Sequence, residues 1–178
     1  MAPTVPETYP WTTVVKGDSW DSGVVIDVRA IRGRTATVSV EIGGDIFFRF
    51  QRPHWDGLRD AFRAIDTIQD MHAKGMSFSE IKENTAARSV ELTMPDYDLP
   101  AWMKWLMIWK DKWASLRVPC LNGAMYVGLS STDETIGLST SGYRKALCRP
   151  MFSGEKRAHL IDHIVFAAEH AKTILEKR

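Results

Sequence analysis

Five histidines, two cysteines and several close carboxylates are the side chains from which this sequence could build a reactive or metal-binding centre. His159 and His163 stand four apart, so a helix sets both on one side, but two imidazoles hold a metal firmly only when further ligands arrive. Asp162 and Glu169 lie near them without completing a known ligand pattern, and neither HExxH nor EF-hand spacing is present. Asp18, Asp21 and Asp27, like Asp96 and Asp98, have the chemistry for magnesium or for acid–base work. They sit beside turn residues and caps, where carboxylates serve local backbone needs. Ser130, Ser131, Ser139 and Ser141 have no nucleophile elbow around them, and Gly43-Gly44 reads as a turn, not a phosphate loop. Cys120 and Cys148 are too few for a four-cysteine metal site and lack CxxC spacing, so reduced, buried thiols are expected, with a disulfide left open. Cys148 has no histidine signalled nearby, although a triad can assemble from distant positions. The expectation is a non-enzymatic chain using no metal and no cofactor, with a dispersed active site as the minor alternative.

Binding chemistry is better represented. Arg29, Arg32, Arg34, Arg49 and Arg52 fall within one short stretch, interleaved with Phe47, Phe48 and Phe50. Phe48 and Phe50 alternate with Phe47, so one aromatic emerges beside the arginines whichever face is inward. Cations hold a phosphate backbone, and an exposed ring stacks on an unpaired base, a combination suited to single strands. The bland alternative is a solvated arginine-bearing sheet whose phenylalanines all pack inside. The formal net charge of +1, from 23 basic and 22 acidic residues, restricts any such site to a local patch.

The elements that must position these residues follow from periodicity. Trp11 to Val15 suits a short strand. Val24 to Ile31 and Thr35 to Ile42 alternate with period two, Gly43-Gly44-Asp45 signals a hairpin, and Ile46 to Phe50 completes an antiparallel meander. Pro53 fits the first turn of a helix carrying Trp55, Leu58, Phe62, Ile65 and Ile68 on its inner stripe, with Gly75 near its end. Residues 24 to 72 thereby form a unit of strands feeding an amphipathic helix, with the helix closing the core of the meander. Ser77 or Ser79 caps a short helix, and Arg88 to Met94 reads as a strand. Trp102, Trp105, Trp109 and Trp113, continued by Leu116, follow helical spacing. The apolar surface of that helix is broad enough to bridge two halves of the fold or to line an oligomer interface. Ala124 to Leu129 and Glu134 to Thr140 read as strands, and Tyr143 to Cys148 as a strand or short helix. A final helix starts near Glu155. Its inner stripe is Leu160, Ile161, Ile164, Val165, Ala168, Ala171 and Leu175, and Lys156, Arg157, Lys172, Lys177 and Arg178 are its exposed cations.

The run Val24-Val25-Ile26-Asp27-Val28-Arg29, then Ile46-Phe47-Phe48-Arg49-Phe50, then Trp55-Asp56-Gly57-Leu58 with Ile65-Asp66, resembles the core of the PC4-like transcriptional coactivator family. That resemblance covers a quarter to a third of the chain. It implies a curved antiparallel sheet followed by a helix, dimerisation, and single-stranded DNA on the sheet. On it Arg29, Arg32, Arg34 and Arg49 become backbone or base contacts, and Phe48 a stacking residue. Two such units in one chain would resemble the Whirly arrangement, a related single-stranded-DNA-binding fold, although its characteristic basic motif is not identified here.

These readings combine into an α+β fold of antiparallel sheets each followed by an amphipathic helix, an order that permits pseudo-duplication. Residues 1–10 form a flexible arm with neither a basic start nor an apolar segment, so no secretory signal is expected. Residues 11–178 form one domain, with halves 11–75 and 119–178 joined by an inserted strand and Trp-rich helix over 76–118. The expected function is binding of single-stranded DNA or RNA, in transcription or replication, through Arg29, Arg32, Arg34, Phe48, Arg49 and Arg52. Self-association, an intracellular location and no membrane partner are also expected. The alternative is a structural or regulatory interaction module using Trp102, Trp105, Trp109 and Trp113.

Overall fold

The computed structural model describes residues 11–18, 23–31, 35–44, 46–94, 112–130, 134–140 and 150–176. The first sheet contains β1 (Trp11–Lys16), β2 (Gly23–Ile31), β3 (Thr35–Ile42) and β4 (Ile46–Phe50), antiparallel and in sequence order. Its alternation is that of the sequence: Val24, Ile26, Val28, Val38, Val40, Phe48 and Phe50 are buried on one face. Ile42 pairs with Ile46 across the β3–β4 reversal, where Gly43 and Gly44 both adopt positive φ, a conformation that side chains with a Cβ disfavour.

Helix α1 (Arg52–Ala73) follows, with Pro53 in its first turn and Trp55, Leu58, Phe62, Ile65 and Ile68 buried as their spacing requires. Trp55 Nε1 donates to the Phe50 carbonyl oxygen at 2.9 Å, which locks the strand-to-helix junction inside the core. Helix α2 (Phe78–Ala86) begins on a capping box: Ser77 Oγ accepts from the Glu80 backbone N–H, and the Glu80 carboxylate accepts from the Ser77 N–H.

The second sheet has the order β5 (Glu91–Thr93), β6 (Lys112–Cys120), β7 (Gly123–Ser130), β8 (Ile136–Ser139) and β9 (Met151–Phe152), again antiparallel, and α3 (Gly154–Glu176) follows it. This is a mixed α+β architecture in which each sheet feeds a helix. Two expectations need correction. Trp113 and Leu116 belong to strand β6 and not to a helix, and β6 starts well before residue 119. The reason lies in the pattern: Ala114, Leu116, Val118 and Cys120 alternate into the core, so period two prevails where both periods fitted the sequence. The stretch proposed for the rest of the Trp helix and the segment Tyr143 to Cys148 lie outside the described residues.

The helices pack across both sheets. α3, which follows the second sheet, lies chiefly on β1, β2 and β3 of the first, while α1 runs along α3 and touches β3 and β4 of the first sheet as well as β6 of the second. The core is therefore one cluster drawn from both sheets, not a closed unit over 24–72. Arg157, expected at the surface, is also corrected. It is 7% exposed and donates to Asp66 and to Gln69, both at 2.5 Å, bonding α3 to α1. Lys172 pairs with Asp56 and Arg63 with Glu169 along the same helix pair.

Each sheet is also braced by a turn of the other. The Asp18 N–H, just after β1, donates to the Met151 carbonyl of edge strand β9 at 2.8 Å, and the Leu121 N–H in the β6–β7 turn donates to the Arg49 carbonyl of edge strand β4 at 2.7 Å. Met151 and Arg49 occupy the same position relative to the helix that follows each. Each bond satisfies one backbone group on an edge strand, where unpaired groups otherwise invite another chain.

Candidate nucleic-acid interface

The face of the first sheet opposite the core carries the polar residues of β2, β3 and β4. Register brings Asp27 beside Ser39 and Ser39 beside Arg49, sets Arg29 opposite Thr37, and lines Glu41 up with Phe47. Asp27, Arg29, Thr37, Ser39, Glu41, Phe47, Arg49 and Gln51, with Leu121 from the β6–β7 turn, line a cleft of about 370 Å3. That volume lies in the range of small-ligand sites.

Of the arginines singled out in the sequence, Arg29 and Arg49 are exposed and share this cleft. Arg52 is exposed on the first turn of α1 and does not line it. Arg32 and Arg34 lie outside the described residues. Phe48 is corrected: it is 3% exposed and packs in the core, whereas Phe47, 42% exposed, is the ring on the arginine face. Phe47 shares the parity of Arg49 in β4, and that alternation is the signal that separates it from Phe48.

The cleft is electrically balanced. Arg29 Nη2 donates to Asp27 Oδ2 at 3.3 Å, and Glu41 offsets Arg49. Beneath the arginines the floor is polar: Asp27 Oδ1 and Thr37 Oγ1 are buried atoms with no hydrogen-bond partner among the described residues. One wall depends on Asn122, whose Nδ2 donates to the Phe47 carbonyl at 2.6 Å and whose Oδ1 accepts from the Arg49 N–H at 3.3 Å. Asn122-Gly123 reads as a turn in the sequence, and nothing local signals a partner 75 residues away. Cys120, next to that turn, donates its S–H to the same Oδ1 at 3.2 Å, and burial pushes its thiol up from the ordinary 9.0. A protonated, buried thiol is a poor nucleophile.

Several other chemically suggestive residues have structural partners, while Asp21, Asp96, Asp98, Ser131, Ser141 and Cys148 lie outside the described residues. Asp18 accepts from Ser153 Oγ at 2.6 Å and pairs with Lys156. His163 Nδ1 donates to the His159 carbonyl at 2.6 Å, and no three metal-ligating side chains converge among the described residues. Trp113 stacks on His72 with ring centres 4.1 Å apart, and Phe78 meets it edge-on, so this tryptophan packs against the α1–α2 region. Trp102, Trp105 and Trp109 lie outside the described residues. No described helix is long and apolar enough to cross a membrane.

The chain matches no protein-family model, no curated protein and no solved structure. Its class is thus defined by its own geometry: two antiparallel sheets, each followed by a helix that packs across both, and a mixed-charge cleft with an exposed aromatic ring on the outer face of the first sheet.

Proposed function

We propose that the outer face of the first sheet binds single-stranded nucleic acid without catalysing a reaction, as the resemblance to PC4-like and Whirly proteins suggests. The observation that carries this reading is the placement of Phe47 and Arg49 on one exposed strand face, across from Arg29. Phe47 serves as a stacking platform, and the two guanidinium groups neutralise phosphates on either side. The paired order of sheets and helices, with its reciprocal turn-to-edge hydrogen bonds, supports reading the chain as two sheet-plus-helix units.

Fluorescence anisotropy with labelled oligo-dT and with a duplex of equal length tests the proposal. Single strands should bind more tightly. Because only Arg29 and Arg49 face the cleft from the described residues, the salt dependence should be shallow: about −0.7 in log–log slope per phosphate neutralised, or roughly −1.4 for two. Arg29→Ala with Arg49→Ala should remove most of that slope. Absence of single-strand binding at low salt, or tighter binding of duplex, overturns the reading.

A further inference from the structure

We propose that the outer edge of β1 is a self-association surface, at which the β1 strands of two copies of this chain pair antiparallel and join their first sheets into one, independently of what the cleft binds. The two sheets have four edge strands, β1, β4, β5 and β9. Natural proteins cover or blunt such edges, because a row of unpaired N–H and C=O groups invites another strand. Three of these edges are guarded. The Leu121–Asn122 turn bonds to the Phe47 and Arg49 backbone of β4. β9 is two residues long, follows Pro150, and has its Met151 carbonyl taken by the Asp18 N–H. β5 is three residues long and carries Glu91, ion-paired to Arg117. β1 has none of these devices. It runs for six residues, each paired with β2 without a bulge, and among the described residues its backbone bonds to no other element. Its middle, Thr12-Thr13-Val14-Val15, is a run of β-branched residues with no charge and no proline.

The second sheet shows what such an edge accommodates. β1 and β6 each open a run of four antiparallel strands that leads into a helix, and β6 has β5 on its outer edge. That added strand pairs Glu91 with Arg117, Leu92 with Leu116 and Thr93 with Ser115, and it buries Leu92. No described strand takes the corresponding place beside β1. A second β1 fits there by its own sequence. For the two sheets to continue with one core face, residues of equal parity must oppose each other. A two-fold axis at Val14 meets this condition: Val14 opposes Val14 of the second copy, Thr13 opposes Val15, and Thr12 opposes Lys16. Val14 is 58% exposed and Val15 is buried, so the axis closes an apolar contact on the open face and sets Thr13 beside Val15 on the core side. Lys16, the one charge in the strand, lies opposite Thr12, so no like charges face each other. The net charge of +1 leaves little long-range repulsion between copies. Such a dimer is isologous and closed, which ends the growth that an open edge otherwise permits. It also sets the clefts of both copies on the same side of one continuous sheet.

Sedimentation velocity of the full chain across the micromolar range tests the proposal. A concentration-dependent shift from 20.2 kDa to twice that mass is expected. Val14→Lys sets two like charges against each other at the axis and removes the apolar contact, so it should weaken dimerisation by roughly tenfold or more. Its circular dichroism spectrum should match that of the parent, because Val14 is exposed in the single chain. Val14→Cys gives a direct readout. A short bismaleimide should link it into a dimer much faster than it links the parent chain or Met94→Cys, a position equally exposed on the other sheet. A chain that stays monomeric throughout, as it would if the edge took a segment of a different protein, overturns the proposal. Equal cross-linking rates at positions 14 and 94 overturn it as well, since the copies would then meet elsewhere. If Val14→Lys disturbs the fold, the cross-linking comparison decides alone.

Discussion

Asn122 donates its side-chain amide to the carbonyl oxygen of Phe47 at 2.6 Å, tying the β6–β7 turn of one sheet to the edge strand of the other. The same amide accepts from the Arg49 N–H, so a single side chain imitates a neighbouring strand over the residues that face the cleft. Asn122→Ala should therefore cost about 1–2 kcal/mol, the net worth of the lost bonds. Denaturant unfolding checks the cost, and faster amide exchange at Arg49 checks the mechanism. Unchanged exchange there would show that the amide does not brace β4.

Phe47 and Phe48 separate binding from stability. Phe48→Ala empties a core position and should destabilise the chain by about 3–5 kcal/mol. Phe47→Ala should leave the unfolding midpoint within about 0.5 kcal/mol of the original, as surface substitutions do, while weakening single-strand binding by about 1–3 kcal/mol. Paired urea melts and anisotropy titrations decide the matter, and a Phe47→Ala protein with full affinity would exclude stacking on that ring.

Arg157 is the buried polar link between α3 and α1. Removing it leaves Gln69 Oε1 without its donor in a region where Gln69 Nε2 is already unpartnered. Arg157→Ala should cost about 2–3 kcal/mol in urea unfolding, because an orphaned buried group loses its full desolvation energy. Pairing Arg157→Met with Gln69→Leu removes both ends and should recover much of that loss. Additive effects of the two changes would show that the contact is not coupled.

Acid should weaken two of the contacts that hold α3. The hydrogen bond from Ser153 holds the Asp18 carboxyl below its ordinary 3.8, and that from Lys172 does the same for Asp56. A carboxylate whose folded pKa is depressed contributes stability above the unfolded pKa and loses it as pH falls through the folded value. These two groups should leave stability unchanged from neutral pH down to about pH 5 and lower it below about pH 4. Both are largely solvated, so together they account for roughly 1 kcal/mol or less. Melts of Asp18→Asn and Asp56→Asn across this window should show a shallower acid decline than the parent chain.

What the sequence determined by itself is local. Period-two alternation in β2, β3 and β4, the stripe from Trp55 to Ile68, Pro53 at the helix start, and a serine cap at Ser77 or Ser79 all follow from which residues share a face and which backbone groups need partners. The arginine face was legible for the same reason, since Arg29 and Arg49 obey the alternation. Only the tertiary structure decided which sheet each helix covers, that Trp113 joins a strand, that Arg157 is buried, and that Asn122 rather than a neighbouring strand completes β4. The physical reason is that burial is non-directional: an apolar stripe must be covered, but its own sequence does not say by what. The Asp27–Thr37 floor arises in the same way, because registering β2 on β3 brings those rows together and the folded sheet removes their polar atoms from water.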